Sequence, residues 1–206
     1  LATTYLRPQD AHHSEATLYD NMIKCTLIAA VRRVYEPGCK HDNACVLMGE
    51  QGARKSSFWK ALGGHFFSDA LRDIKAFLSQ STDMFRVPYG KTTEAFPRRG
   101  IIVGSTNRTD GFLVDDTGNR RFWVIPVKAT HKQPIDVDGL MKEVDAIWAS
   151  AVYAYRNDEP SALSIDQEEQ VYKENVNYML DSPWRGPIES WLREPKNRFE
   201  YVTADL

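Results

Sequence analysis

The sequence has few cysteines and no long apolar run. Only three of its 206 residues are cysteine, and they form no C-x-x-C pair, which disfavours both a disulfide framework and a zinc ribbon. We therefore expect reduced cysteines and a cytoplasmic protein. No apolar run approaches the ~20 residues that cross a bilayer, and no signal-peptide pattern opens the chain, so no membrane partner is expected.

The sequence also lacks a large net charge, internal repeats and low-complexity segments. Its formal net charge of −2 excludes a uniformly basic nucleic-acid coat protein. A local basic strip is still compatible with that total, because binding depends on the local patch. Hydrophobic residues make up 42% of the chain. The sequence is therefore long and apolar enough to bury one core, with at most a small appendage.

A phosphate-binding loop is the most informative stretch that is present. An apolar strand at 45–48 leads into a glycine-bearing turn, and Lys-Ser then opens a helix. Backbone N–H groups of such a turn, together with the positive end of the helix, hold nucleotide phosphates. Lys55 would reach the β- and γ-phosphates of ATP, and the Ser56 hydroxyl would ligate Mg²⁺. The expected nucleotide-binding residues are Gly49, Gln51, Gly52, Ala53, Arg54, Lys55, Ser56 and Ser57.

Arg54 departs from the G-x-x-x-x-G-K-[ST] pattern, because it stands where the second glycine is usual. A residue with a Cβ fits there only if its φ stays negative, or if phosphate contacts offset a cost of about 1 kcal/mol or more. Gly52 gives the loop some of that freedom from a neighbouring position. An ordinary strand–turn–helix is the competing interpretation of this stretch taken alone.

Helical patterns precede and follow the loop. Apolar residues at helical spacing predict a first helix capped by Asp20 and stopped before Pro37, with basic side chains on a solvated face. Residues 140–155 predict a second amphipathic helix, and a capping box at Ser164 predicts a third, reaching Met179. The basic side chains of the first helix are Lys24, Arg32 and Arg33.

Extended patterns lie between these helices. Residues 83–97 predict a hairpin that turns at 88–91. Residues 101–107 predict a central parallel strand, buried on both faces, with Asn107 at the carboxyl end where ligands bind in open α/β sheets. Near the hairpin turn, Arg86, Tyr89 and Lys91 would present cations and an aromatic face to DNA. The competing interpretation is a connecting hairpin whose charges face water.

Several blocks of sequence together resemble the virulence-associated E family of P-loop ATPases. The resemblance extends from about Leu27 to Trp184, and its most specific block is Gly-Asn-Arg-Arg-Phe-Trp at 118–123. It implies an α/β fold with an AAA+-like three-layer P-loop core and a mostly parallel central sheet. The regions expected are an N-terminal helical lead-in at 1–38, the ATPase core at 39–130 and a C-terminal helical region at 131–206. The other blocks are 49–56, 66–69, 74–79, 86–90, 96–98 and 106–107.

The same resemblance implies the motor of a DNA helicase from a phage, plasmid or genomic-island replication protein. Such motors form homo-oligomeric rings, commonly hexamers, bind ATP and Mg²⁺, and often accompany a primase-polymerase module. Asn107 would orient the attacking water, and Arg120 or Arg121 would reach the nucleotide of the neighbouring subunit. The implied catalytic set is Lys55, Asn107, Arg120 and Arg121, and the hairpin at Arg86, Tyr89 and Lys91 would grip DNA phosphates.

One element of the family is missing from this sequence. No apolar run between the loop and residue 100 ends in Asp or Glu, although a P-loop ATPase needs such a strand to position Mg²⁺ and water. We interpret the sequence as joined across a missing segment near 71–73, and predict no ATP hydrolysis if the segment is truly absent. The alternatives are a non-hydrolysing replication-initiator scaffold that binds nucleotide and DNA, and a small-molecule phosphotransferase on a P-loop fold.

Overall fold

The structure, a computed structural model, describes residues 1–6, 13–67, 80–86, 93–108, 111, 113, 119–179 and 190–194. Short π-helical and 3-10 turns lie at Ala2–Leu6, Gly64–Phe66, Asn119–Arg121 and Val176–Tyr178. The helices are α1 (His13–Tyr35), α2 (Lys55–Gly63), α3 (Val137–Arg156) and α4 (Ile165–Asn175). The strands are β1 (Ala44–Met48), β2 (Thr82–Arg86), β3 (Thr93–Pro97), β4 (Ile102–Thr106) and β5 (Phe122–Pro126).

A three-stranded parallel sheet forms the centre of the fold, in the order β4-β1-β5. Met48, the last residue of β1, pairs with Thr106 on β4 and with Pro126 on β5. The carboxyl ends of all three strands therefore lie level with one another at the same end of the sheet. The loops that leave these strands consequently start side by side, as ligand sites in open α/β sheets require.

The two faces of this sheet bury different amounts of apolar surface. Cys45 and Leu47 of β1, with Trp123 and Ile125 of β5, face the larger core, which helices α1, α2 and α3 cover. The alternate residues of the same strands face a smaller cluster that includes Leu113. Because side chains alternate along a strand, each strand contributes to both clusters.

Indole N–H groups link the phosphate-loop helix to its neighbours. Trp59 Nε1 on α2 donates to the Gly104 carbonyl of β4 at 2.9 Å. Trp148 Nε1 on α3 donates to the Leu62 carbonyl near the end of α2, also at 2.9 Å. These bonds link the middle of α2 to the sheet and its last turn to α3, while α2 buries Phe58 and Leu62.

The predicted start of the first helix was wrong. Helix α1 begins at His13, before Asp20. Asp20 instead accepts hydrogen bonds from the backbone N–H and the hydroxyl of Thr3, at 3.3 and 2.5 Å. A carboxylate can cap whichever backbone donors come near it, and here those donors belong to the turn at Ala2–Leu6.

The predicted solvated face of α1 was wrong for one of its three cations. Arg33 is only 2% exposed, and its guanidinium donates to the carbonyls of Gly100 and His41 at 2.7 and 2.9 Å. Those carbonyls lie just before β4 and β1, so Arg33 connects α1 to the amino end of the sheet. Burial lowers the pKa of Arg33 below its usual value. Lys24 and Arg32 instead form partly exposed ion pairs with Glu159 and Glu36.

Strand β4 is parallel to β1, as predicted, but it is not central. Among the described residues it is an edge strand of the three-stranded sheet. Its apolar side chains Ile102 and Val103 are only partly buried, whereas every residue of β5 is buried. The prediction of burial on both faces failed because no described strand covers the outer edge of β4.

The hairpin and the C-terminal helices largely follow the sequence. Strands β2 and β3 pair antiparallel, and the turn predicted at 88–91 lies outside the described residues. Helix α4 opens with the predicted capping box of Ser164 and Gln167. It ends at Asn175 and continues only as a 3-10 turn, so the predicted end at Met179 was too late.

The described residues confirm a mixed α/β fold with a parallel sheet. The three-layer AAA+ core and the three-region division stay predictions. No helix within the described ranges is long and apolar enough to cross a membrane.

Arg33 provides a test of how strongly α1 is attached to the sheet. We expect Arg33→Met to lower the free energy of unfolding by about 2–4 kcal/mol, because it removes the charged donor to the carbonyls of Gly100 and of the buried residue His41. Urea unfolding followed by circular dichroism measures this change. The matched control is Arg32→Met, one residue earlier, which removes only a partly exposed pair with Glu36 and should cost less than about 1 kcal/mol. Equal losses for the two variants would contradict the role of Arg33.

Candidate nucleotide-binding site

The loop between β1 and α2 follows a path that two glycines permit. A Cβ on Gly49 would lie 2.8 Å from the Val127 carbonyl oxygen, and the Gly49 N–H donates to the Thr106 carbonyl at 3.2 Å. Gly52 has φ +84°, and a Cβ there would lie 2.8 Å from His131 Nδ1. Larger side chains would therefore push this loop away from the segments beside it.

Arg54 has a left-handed backbone conformation, with φ 64° and ψ 27°, at the N-cap of α2. This is the conformation that the usual glycine of the pattern tolerates without strain, and it costs a residue with a Cβ roughly 1–2 kcal/mol. The Arg54 guanidinium lies 3.9 Å from the Asp138 carboxylate, and both side chains are at least half exposed. Such a pair adds little stability, so the loop is folded with the strain in place.

Lys55 is buried beneath the loop, with 4% of its surface exposed. Its ammonium donates to the carbonyls of Gly49 and Glu50 at 2.9 and 2.7 Å, and to Asn107 Oδ1 at 3.0 Å. Burial lowers the pKa of Lys55, and the Glu50 carboxylate partly opposes that shift. The three bonds tie the loop to the residue that follows β4.

The structure thus brings together two residues that are 52 positions apart in sequence, and both were predicted. Asn107 follows the carboxyl end of β4, directly beside the β1 loop, and its side chain is exposed apart from the contact with Lys55. An amide at this position can orient a small polar ligand, such as a water molecule, next to a phosphate held by the loop.

Ser56, the predicted magnesium ligand, lies within 2.8 Å of the Ser105 hydroxyl. Ser105 was not predicted, although it stands two residues before Asn107, and alternation along a strand puts such residues on one face. Ser57 is exposed at the start of α2, as are Gln51 and Gly52 in the loop.

The residues of the loop fit a nucleotide phosphate with Mg²⁺. A Cβ on Gly49 or Gly52 would press against Val127 or His131, so the two glycines let the loop keep its path, and α2 starts directly behind it with Lys55. A helix N-terminus next to exposed backbone N–H groups favours an anion. Among the described residues, no cluster of three His, Cys, Asp or Glu could hold a metal alone. Phosphate oxygens would therefore have to join Ser56 as ligands of Mg²⁺.

Arg120 and Arg121 are not part of this site within one chain. They form the 3-10 turn that precedes β5, and Asn43 Nδ2 contacts the Arg120 carbonyl beside the start of β1. Five residues of β5 separate this turn from the carboxyl ends of the strands, where the phosphate loop starts, a distance of roughly 17 Å. The two arginines therefore lie at the amino ends of the strands, whereas Lys55 lies at the carboxyl ends.

The predicted DNA-binding residues are described only in part. Arg86 ends strand β2, whereas Tyr89 and Lys91 lie outside the described residues. At the base of the hairpin, Arg98 is 5% exposed and forms an ion pair with Asp83, and its carbonyl accepts from the Gly38 N–H at 2.9 Å. The hairpin is thus attached to the segment between α1 and β1.

His131 also borders the phosphate loop, and sequence reasoning missed it. Its imidazole lies against Gly52 because the chain after β5 turns back along the loop. No motif or spacing in the sequence signals this contact. It arises from the path of a connecting segment, which a local pattern does not determine.

The strain at Arg54 is measurable as a gain in stability. We expect Arg54→Gly to raise the free energy of unfolding by about 1 kcal/mol, because glycine adopts φ 64° without a steric cost. Arg54→Ala is the matched control: it removes the same guanidinium but keeps a Cβ in the left-handed conformation. Urea unfolding of both variants isolates the backbone contribution, and a gain of equal size for Arg54→Ala would show that the strain is not its source.

The chain was compared with solved structures and with curated proteins. It is similar to the apo structure of the NrS-1 C-terminal region (305–718), at 13% identity and a TM-score of 0.51. It is also similar to the A form apo structure of that region, at 13% identity and a TM-score of 0.52. Each alignment covers 90% of this chain and 52% of the other, so the chain spans about half the length of these structures. At this identity the likeness concerns the fold alone. No curated protein matches.

A sequence profile matches most of the chain in two segments. The profile of the Virulence-associated protein E-like domain matches residues 3–75 and 69–180. The two segments overlap at 69–75. The predicted resemblance is confirmed at the level of the family: the chain belongs to the Virulence-associated protein E-like domain family.

Proposed function

We propose that this chain is the motor domain of a replication protein, an ATP-dependent DNA helicase that acts in a homo-oligomeric ring. The observation that carries the proposal is the 3.0 Å hydrogen bond between Lys55 Nζ and Asn107 Oδ1. It joins a phosphate-loop lysine to a polar residue at the end of the adjacent parallel strand. Membership of the family supports the setting in replication.

In this proposal the loop holds the triphosphate of ATP. Backbone N–H groups of the loop and of the start of α2 bind the phosphate oxygens. Lys55 neutralises charge on the β- and γ-phosphates, and the Ser56 hydroxyl, positioned by Ser105 at 2.8 Å, is a ligand of Mg²⁺. When bound, Mg²⁺ supplies charge neutralisation for the phosphates. Asn107 orients the attacking water.

Arg120 and Arg121 serve the nucleotide of a neighbouring subunit in this proposal. They lie at the amino ends of the strands, and the loop lies at the carboxyl ends. A single chain therefore does not bring them to its own site. A ring in which the amino end of one sheet faces the phosphate loop of the next would do so. An arginine supplied in this way can be worth 10³ to 10⁵ in rate.

The hairpin of β2 and β3 is the proposed contact with DNA. It forms a separate two-stranded sheet, anchored at its base by the pair of Arg98 and Asp83. Arg86, Tyr89 and Lys91 would bind DNA through phosphate contacts and stacking, so binding would weaken with salt. A primase-polymerase module, fused or associated, is the proposed further partner.

A second candidate function is a scaffold that binds nucleotide and DNA without hydrolysis. The specific observation in its favour is that no apolar run between the loop and residue 100 ends in Asp or Glu. Hydrolysis requires such a carboxylate to position Mg²⁺ and water. Mass spectrometry of the purified protein bears on this choice, because a mass of 23.5 kDa, that of the sequence itself, would establish that no further segment is present.

Removal of the Lys55 ammonium tests the proposed site. We expect Lys55→Ala to abolish magnesium-dependent ATP binding in calorimetry, because the phosphates lose their buried cation. Lys60→Ala is the matched control, since Lys60 is an exposed lysine of the same helix and its loss should leave binding unchanged. If the wild-type chain takes up no ATP, the proposed function is wrong.

Turnover with single-stranded DNA separates the candidate functions. The motor is expected to hydrolyse ATP faster when single-stranded DNA is added and to lose that activity on Lys55→Ala. The scaffold is expected to bind ATP without turnover. A phosphotransferase would respond instead to a small-molecule acceptor.

Mixed oligomers test the action of the arginines between subunits. Arg120→Ala or Arg121→Ala subunits retain a phosphate loop, and Lys55→Ala subunits retain both arginines. We expect each variant alone to be inactive and a mixture of the two types to recover DNA-stimulated ATP hydrolysis, because some interfaces then combine an intact loop with an intact arginine. Absence of recovery at every mixing ratio would count against this assignment.

A further inference from the structure

The segment between β5 and α3, residues 127–136, runs along the phosphate loop. At its start, the Val127 N–H donates to the Met48 carbonyl at 2.6 Å. Near its end, the N–H of the fully buried Ile135 donates to the Ala53 carbonyl at 3.2 Å. The phosphate loop is therefore bound to this segment at both ends.

Between these two anchors, a tight turn places His131 on the loop. The Thr130 N–H donates to the Gln133 carbonyl at 3.1 Å, and the Gln133 N–H donates to the Thr130 hydroxyl at 3.2 Å. His131 lies inside this turn, with Nδ1 2.8 Å and Cβ 3.3 Å from the position that a Cβ of Gly52 would take. The imidazole thus lies against Gly52 while its side chain is exposed to solvent.

The order of the strands places His131 and Asn107 on opposite sides of the loop. The loop follows β1, Asn107 follows β4, and His131 follows β5, with β4 and β5 on either side of β1. Lys55 Nζ and Asn107 mark the β4 side as the place of the terminal phosphate. In a nucleotide the sugar and base lie at the other end of the phosphate chain. The nucleoside then emerges on the β5 side, where His131 is exposed.

We propose that His131 is a nucleoside-binding residue, and that its imidazole stacks on the base of the nucleotide held by the phosphate loop. The inference rests on the proposed function, since it requires a nucleotide in that loop. A flat, exposed aromatic ring stacks on any base, so the contact adds affinity for nucleosides without choosing strongly among bases. Gly52 permits the contact, because a side chain there would occupy the space of the ring.

A comparison of two ligands with the same phosphates tests the inference. ATP and inorganic tripolyphosphate, each with Mg²⁺, are titrated into the wild-type chain and into His131→Ala. We expect His131→Ala to weaken ATP binding about tenfold, the loss of one stacked base, and to leave tripolyphosphate binding unchanged. His131→Phe, which keeps a flat ring, should retain ATP binding. Lys132→Ala, an exposed neighbour in the same turn, should alter neither titration.

The outcomes separate the two proposals. Unchanged ATP binding by His131→Ala, or an equal loss for both ligands, overturns the nucleoside contact and leaves the phosphate site in place. A wild-type chain that binds no ATP overturns both proposals. Thermal melting reports whether each variant folds. If His131→Ala does not, His131→Gln provides a second variant without a ring, and its comparison with His131→Phe gives the same decision.

Discussion

The parallel pairing of β1 with strands on both of its sides is the constraint on which this structure depends. Met48 pairs with Thr106 on one side and Pro126 on the other, so three chain segments that are distant in sequence leave the sheet at one edge. The phosphate loop, Asn107 and the 127–136 segment are neighbours for that reason alone. Shifting the register of either pair by one residue would separate Lys55 from Asn107 or expose the alternate face of a buried strand.

Lys55 holds the phosphate loop in its conformation, in addition to its role in the proposed site. An ammonium has three donors, and here they bind three oxygens, on Gly49, Glu50 and Asn107. A phosphate oxygen that enters the loop must therefore replace at least one of these acceptors. The Asn107 side chain is the acceptor that can leave without moving the loop backbone. Phosphate binding would then release its amide toward the water that it is proposed to orient.

Local patterns in the sequence predicted much of the fold and the position of the loop in the candidate site. The loop at 49–56 and the capping box at Ser164 depend on residues close in sequence, so their identities suffice. Arg33 and His131 were missed for one shared physical reason: each is positioned by a segment that folds back from elsewhere. Helical spacing puts Arg33 on a polar face, but only the carbonyls of Gly100 and His41 explain its burial.

The side of strand β4 that no described strand covers lies where the family's missing strand, the one that ends in Asp or Glu, would be needed for ATP hydrolysis. Its residues 101–104 have the composition of a strand buried on both faces, yet within the described part of the chain its outer edge is unpaired and its side chains are half-buried. A parallel strand added at that edge would end beside Asn107, because the carboxyl ends of parallel strands lie level. That is also where hydrolysis needs an acidic group. One added strand would therefore supply both the burial that β4 lacks within the described part of the chain and an acidic group beside Asn107.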